Sequence, residues 1–249
     1  RASAVRSLGR VSLRERYRLL QPFLKENNTS VAMEIATMLA GVPLDQLPQN
    51  DRMALQGLFE GYLSVQAEHT DMPAVLMQLG RFHSDRGDIQ AAEDAYREAL
   101  QIDGRRVAAY LNLADLIRNQ DNESGARNLI SAALEVAPNN ADAHHAMGLL
   151  EVRRGNLPLA LSYLQRAADL GGDDSVHYRY VYAVALHDVG EPVRAIAELE
   201  SALASAPRSV DVLTALVNYL AELRQYNAAI GYAERLAVLR PDNASYTRF

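Results

Sequence analysis

The sequence predicts an all-α chain: a right-handed α-solenoid of five helix pairs, preceded by a distinct helical region over residues 1–72. Three observations carry this reading. A pattern of about 34 residues, long enough for one helix pair, recurs between residues 73 and 243. Within each copy the apolar residues follow an i, i+3, i+4, i+7 spacing, the signature of a one-sided helix. The copies are punctuated alike, with a Gly-type turn between the two helices and a Pro after the second.

The N-terminal region lacks that period. "SAVRSLGR", Ser3 to Arg10, reads as the end of a preceding helix pair, so helix 1–9 is expected without its partner. In "RLLQPFLKENNTSVAMEIATMLAGVP", Leu19, Leu20, Phe23 and Leu24 share one helix. After a polar turn, Val31, Ile35, Leu39 and Ala40 share another. This stretch resembles a HEAT-type helix pair, including Pro22 inside its first helix. "NDRMALQGLFEGYLSVQAEH", Asn50 to His69, reads as one long amphipathic helix with Asn50 or Asp51 as its N-cap.

The five units are 73–106, 107–140, 141–175, 176–209 and 210–243, with 244–249 as a truncated tail. The one extra residue falls in "GGDD", Gly171 to Asp174, a loop where insertion is cheap. Small residues at unit position 8 (Gly80, Ala114, Gly148, Ala183) face small residues at position 20 (Ala92, Ala126, Ala160, Ala195, Ala229). Together they let the two helices approach, and a larger residue at position 24 fills the space beside them. In the second unit Tyr110, Leu113, Ala114 and Ile117 form the stripe. Gly at position 15 permits a left-handed cap. Pro138, Pro207 and Pro241 stop second helices. One pair cannot bury its own stripe, so neighbours must stack.

Over residues 73–243 this pattern resembles the tetratricopeptide repeat (TPR) family. Position 4 is never Trp, and the fifth unit has Arg224 in place of the turn Gly. The resemblance implies a concave groove lined by first-helix positions 2, 5, 9, 12 and 13, which takes an extended peptide or a partner helix. Carried onto this chain, four of those positions in each unit are taken as groove lining: Met77, Arg81, Ser84 and Asp85 in the first unit and Leu111, Asp115, Arg118 and Asn119 in the second. The third gives Asp142, His145, Leu149 and Arg153, and the fourth His177, Tyr180, His187 and Asp188. The fifth gives Asp211, Thr214, Asn218 and Glu222. Arg and Tyr, the types that most often dominate interface energy, recur among them. The repeats that grip a chaperone's C-terminal carboxylate carry Lys and Asn at fixed positions. Asn112 matches one Asn, but Met77 and Asp142 occupy the Lys positions, so that specificity is not expected. Such arrays end in a polar capping helix. Only "DNASYTRF" follows Pro241, so Ile230, Ala233 and Leu236 are expected to need cover from another domain, another copy or a further helix. Self-association through such ends is one expectation.

Composition narrows the function. The net charge of −6 argues against a phosphate-binding, nucleic-acid role. The charge is uneven: Arg1, Arg6, Arg10, Arg14, Arg16, Arg18 and Lys25 face only Glu15 near the N-terminus. This reads as a solvated helix face or as a patch for an acidic partner. No apolar run approaches the length of a membrane span. With no Cys and a single Lys, thiol, thiolate-metal and Schiff-base chemistry are not expected. There is no phosphate loop, nucleophile elbow or zinc-protease motif, and the carboxylates Glu93, Asp94 and Glu98 read as solvated. No catalytic residue, metal or cofactor is therefore assigned. His145, His177 and His187 would form a metal site only if they converged; groove lining is the reading adopted. His144 and His83 sit at core positions. The expected function is a protein-interaction scaffold.

An alternative rests on resemblance. "MPAVLMQLGRFHSDRGDIQAAEDAYREAL" and "YRYVYAVALHDVGEPVRAIAELESAL", behind a HEAT-like pair and a long helix, resemble the C-terminal part of bacterial exported multihaem c-type cytochromes. That resemblance implies a docking arm of a periplasmic redox protein. The haem motifs of that family lie upstream, and no C-x-x-C-H occurs here, so this segment would bind no haem itself.

Overall fold

The computed structural model describes residues 2–172 and 175–240. Among these residues there is no strand, and the order of helices follows the repeat. Four helices precede the repeats: α1 (Ala2–Arg6), α2 (Leu13–Leu20), α3 (Thr29–Met38) and α4 (Gln49–Ala67). The repeats are α5 (Pro73–Arg86) with α6 (Ile89–Ile102), α7 (Val107–Arg118) with α8 (Glu123–Val136), and α9 (Ala141–Arg153) with α10 (Leu157–Leu170). Then come α11 (Ser175–Asp188) with α12 (Pro192–Ser205), and α13 (Val210–Glu222) with α14 (Tyr226–Leu239). The chain divides into two compact units, 1–129 and 130–249, with the boundary inside α8.

Every intra-repeat turn is built alike. Unit position 15 has positive φ in all five repeats: Gly87 +81°, Asp121 +60°, Gly155 +74°, Gly190 +84° and Arg224 +58°. The next residue's N–H then bonds back to the carbonyl at position 11, from Asp88 to His83 (2.9 Å) through Gln225 to Leu220 (2.9 Å). Arg224 thus makes the same sharp turn as glycine, at a strain that L-residues normally avoid. Arg224→Gly is expected to stabilise the second unit by about 0.5–1 kcal/mol, read from the urea midpoint. The gain at Asp121 should be smaller, because Asp tolerates this region better than Arg. α8 and α12 end two residues before Pro138 and Pro207, as predicted; Pro241 lies outside the described residues, as do 173–174 in the "GGDD" loop.

The first unit has two apolar clusters. One gathers Leu20, Leu24, Ile35, Leu39, Leu55, Phe59 and Tyr62, and it also takes in Phe82 from α5. Phe82 lies 4.6 Å from Tyr62 and 5.4 Å from Phe59, ring to ring, and Arg86 stacks over Phe59 at 4.6 Å. Burying Phe82 there contributes about 2–3 kcal/mol and ties the first repeat to the N-terminal helices. The other cluster is that of the repeats themselves: Ala92, Tyr96, Leu113, Leu116 and Ile117. In the second unit one cluster runs from α10 to α14, with Leu164, Tyr182, Leu186, Leu199, Leu213 and Leu216 at its centre.

Several N-terminal expectations need correction. α1 does have a partner: it packs on α3, with Val5 buried and Arg6 paired to Glu34. Pro22 closes its helix rather than sitting inside it, since α2 stops at Leu20 and Gln21–Phe23 is a 3-10 turn. That change of helix type rotates the stripe. Leu20 and Leu24 are buried, whereas Leu19 (43%) and Phe23 (53%) stay exposed. α4 begins after Pro48, without a side-chain cap. Asp51 instead accepts hydrogen bonds from the Tyr17 hydroxyl (2.6 Å) and Gln21 Nε2 (3.0 Å). At the other end Ala233 and Leu236 are already covered within the unit, and of the three residues expected to need cover only Ile230 is exposed.

Candidate interaction surface

The first helix of each repeat has two faces, and the repeat spacing separates them. On α13, Val212, Leu213, Ala215, Leu216, Val217 and Leu220 are buried. Asp211, Thr214, Asn218 and Glu222, the predicted groove positions, are not. The same division holds on α5, α7, α9 and α11: none of the twenty predicted groove residues is buried. Met77 and Tyr180 nevertheless pack against the edge of the apolar clusters.

In the first unit Met77 is half-buried against the repeat cluster, Ser84 is half-buried, and Arg81 and Asp85 are exposed. Burial pushes the Asp85 carboxyl up from its ordinary range, against the opposing pull of Arg81 and Arg16. On α7, Arg118 pairs with Asp115 (3.1 Å), and Leu111 and Asn119 flank them. Asn112 points instead to the buried Tyr96, whose hydroxyl is pushed up to about 12, mainly by burial.

The second unit carries two aromatic–carboxylate groups. In the first, His145 and His177 lie 5.1 Å apart, ring to ring, and Tyr178 lies 5.2 Å from His145. The Tyr178 hydroxyl donates to Asp142 Oδ1 at 2.5 Å. His145 Nδ1 is enclosed and makes no hydrogen bond among the described residues. Burial first, then the neighbouring His177, lowers its pKa to about 4, with Asp142 opposing. In the second group His187 stacks on Tyr219 at 3.8 Å and nearly parallel, while His187 Nε2 meets Glu222 Oε2 at 2.7 Å. Asp188 stands 3.9 Å from the same ring. The Tyr219 hydroxyl is pushed up to about 12 by burial and by Asp188, Tyr180 and Glu222. Tyr180 is half-buried against the core, and Leu149 on α9 is half-buried. Thr214 donates its hydroxyl to the Val210 carbonyl (2.7 Å). Arg153 is exposed.

His145 and His177 therefore meet, but His187 belongs to the other group. Among the described residues no set of three or more His, Asp or Glu is placed to hold a metal. His144, expected at a core position, is only half-buried, and its Nε2 meets the Pro138 carbonyl (2.8 Å). His83 is half-buried, 3.5 Å from Asp88. Tyr178 and Tyr219 were missed by sequence reasoning. They fall at unit positions 3 and 10, beside the groove register rather than on it, and no motif marks them.

Residues 83–150 and 145–210 match two overlapping tetratricopeptide repeat family patterns, which together cover just over half of the chain. The chain belongs to the tetratricopeptide repeat family. A 154-residue stretch of this TPR chain is 31% identical to cellulose synthase operon protein C of Pseudomonas fluorescens, covering 55% of the chain and 12% of that protein. Another 113 residues are 28% identical to the TPR repeat-containing protein MJ1428 of Methanocaldococcus jannaschii, covering 41% of the chain and 20% of that protein. The chain thus spans only a small part of either relative.

Among solved structures, the fold is similar to that of Pseudomonas aeruginosa pilF (TM-score 0.60, 21% identity, 73% of this chain and 81% of that one). It is also similar to MamA (0.57, 19%, 70% and 94%). A third is YrrB, described as a TPR protein with an unusual peptide-binding site (0.54, 19%, 74% and 95%). These likenesses establish an all-α repeat fold. The TPR segment is a protein-interaction scaffold. No described helix is long and apolar enough to cross a membrane.

Proposed function

We propose that the outward face of the first TPR helices binds an extended peptide or a partner helix. One observation carries this: all twenty groove positions stay out of the core while the positions interleaved with them fill it. A face that is not buried in the core is accessible to a partner. Its chemistry is that of interface anchors: Arg118 in the first unit, and Arg153, Tyr180 and the His187–Tyr219 stack in the second.

The test starts from a peptide selected against the whole chain in a random display library. Arg118→Glu and Arg153→Glu should each weaken its binding by about tenfold or more. Helicity and the thermal transition should stay unchanged, because neither residue belongs to the core. Unchanged affinity in both variants, with the fold intact, would move the binding face elsewhere.

A further inference from the structure

The N-terminal helices stand beside α5 and close a cleft of about 650 Å³ in the first unit. This is within the usual size of a ligand site. Its walls are charged and its floor is apolar, formed by Met38 and the edges of Tyr62 and Phe82.

The charged groups differ in what already satisfies them. Arg6 is committed to Glu34 at the rim. Arg16 is held by main-chain carbonyls, Nε to Val11 (2.8 Å) and Nη1 to Met38 (3.2 Å). Those bonds fix its direction and leave its charge uncancelled. Arg81 is exposed and makes no hydrogen bond or close ion pair among the described residues, and the same holds for Asp85. Besides the Arg6–Glu34 pair, the cleft therefore presents two guanidinium groups with no carboxylate within salt-bridge distance among the described residues, Arg16 and Arg81, against the one carboxyl of Asp85, beside apolar surface. The N-terminal stretch is also basic in composition: through residue 25 the sequence has seven basic residues and one acidic one, Glu15.

We propose that this cleft receives an acidic side chain of a partner polypeptide, its carboxylate between Arg16 and Arg81 and an apolar neighbour on the floor. Guanidinium groups match a carboxylate in shape as well as charge. Asp85 sets the threshold, since it repels the incoming carboxylate. The proposal goes beyond the groove reading: it shares Arg81 and Asp85 with the groove residues, but it also requires Arg16, which lies outside the repeats, and a cleft formed where the N-terminal helices meet α5.

The experiment uses the full chain and two end-capped peptides of equal length, one with a Glu-Phe-Glu centre and its Gln-Phe-Gln twin, by isothermal titration calorimetry. The Glu peptide should bind at least about tenfold more tightly than its twin. Arg81→Ala should cut Glu-peptide binding by about tenfold. Asp85→Asn should tighten it by about threefold. Both positions are exposed and outside the core, so folding is not at stake. Tyr180→Ala, in the second unit, should leave this binding unchanged while weakening the display-selected groove peptide, which keeps the two readings separable. Equal binding of the twins, no detectable binding of either, indifference to Arg81→Ala, or weakening by Asp85→Asn would each overturn the proposal.

Discussion

Gly148→Ala is expected to destabilise the second unit by about 1–3 kcal/mol. The sign runs against helix propensity, which favours Ala over Gly by about 1 kcal/mol in a helix interior. Packing decides it. A Cβ on Gly148 would stand 2.7 Å from both Leu164 Cγ and Cδ2, and 3.2 Å from the Leu164 main-chain nitrogen. Leu164 is fully buried, so it has no free space to turn into, and a backbone atom cannot swing aside. Leu164→Ala alone should cost about 2–5 kcal/mol through the cavity it leaves. The double variant should cost less than the sum by about 1 kcal/mol or more, because the new methyl occupies part of the vacated volume. The fifth repeat already carries that arrangement, with Val217 at position 8 opposite Ala233 at position 24, both buried. Gly80 shows the same constraint more severely, its Cβ falling 2.4 Å from the Tyr96 ring. Urea unfolding followed by circular dichroism, with hydrogen exchange on α9 and α10, would read the effect; repeat arrays need the local probe because they can unfold in parts. Strict additivity of the two substitutions would refute this account of the small–large pairing.

The same pair of positions explains why the repeats were legible in the sequence. Contacts in a helical hairpin join residues close in the chain, so a packing rule written once recurs at a fixed interval. Gly80 with Tyr96, and Gly148 with Leu164, announce it before any coordinates are known. Outward positions follow by subtraction, which is why all twenty proved unburied. Conformations and contacts that no residue type enforces were harder to read. Asp121 and Arg224 adopt the glycine turn because helices on both sides impose it. Asp51 left its capping role for Tyr17, some thirty residues away in the chain. The cleft at Arg16 arises where a region without a period meets one that has it, through contacts such as Phe82 with Tyr62 that only the assembled unit defines. The enclosure of His145 by Tyr178 and His177 is of the same kind, since position 5 reads as groove lining and gives no sign of what stands beside it.

That enclosure has a thermodynamic consequence at mildly acid pH. With its folded pKa lowered to about 4, His145 stays neutral in the native chain down to that point. In the unfolded chain it takes up a proton near its ordinary value of about 6.5. Between those values the unfolded state binds more protons, so stability must fall as pH falls. The contribution is fully present above about pH 6.5 and is lost progressively towards pH 4. Because the ring is only partly enclosed, solvent screening trims the effect to about 1–2 kcal/mol between pH 7 and pH 5. His145→Gln, which keeps a polar side chain of similar reach, should remove that part of the pH dependence. Titratable groups remote from His145 are common to both proteins, so their contribution cancels in the comparison. Urea midpoints of the two proteins at pH 7 and pH 5 give the answer, and an equal loss in both would mean that His145 charges freely in the fold.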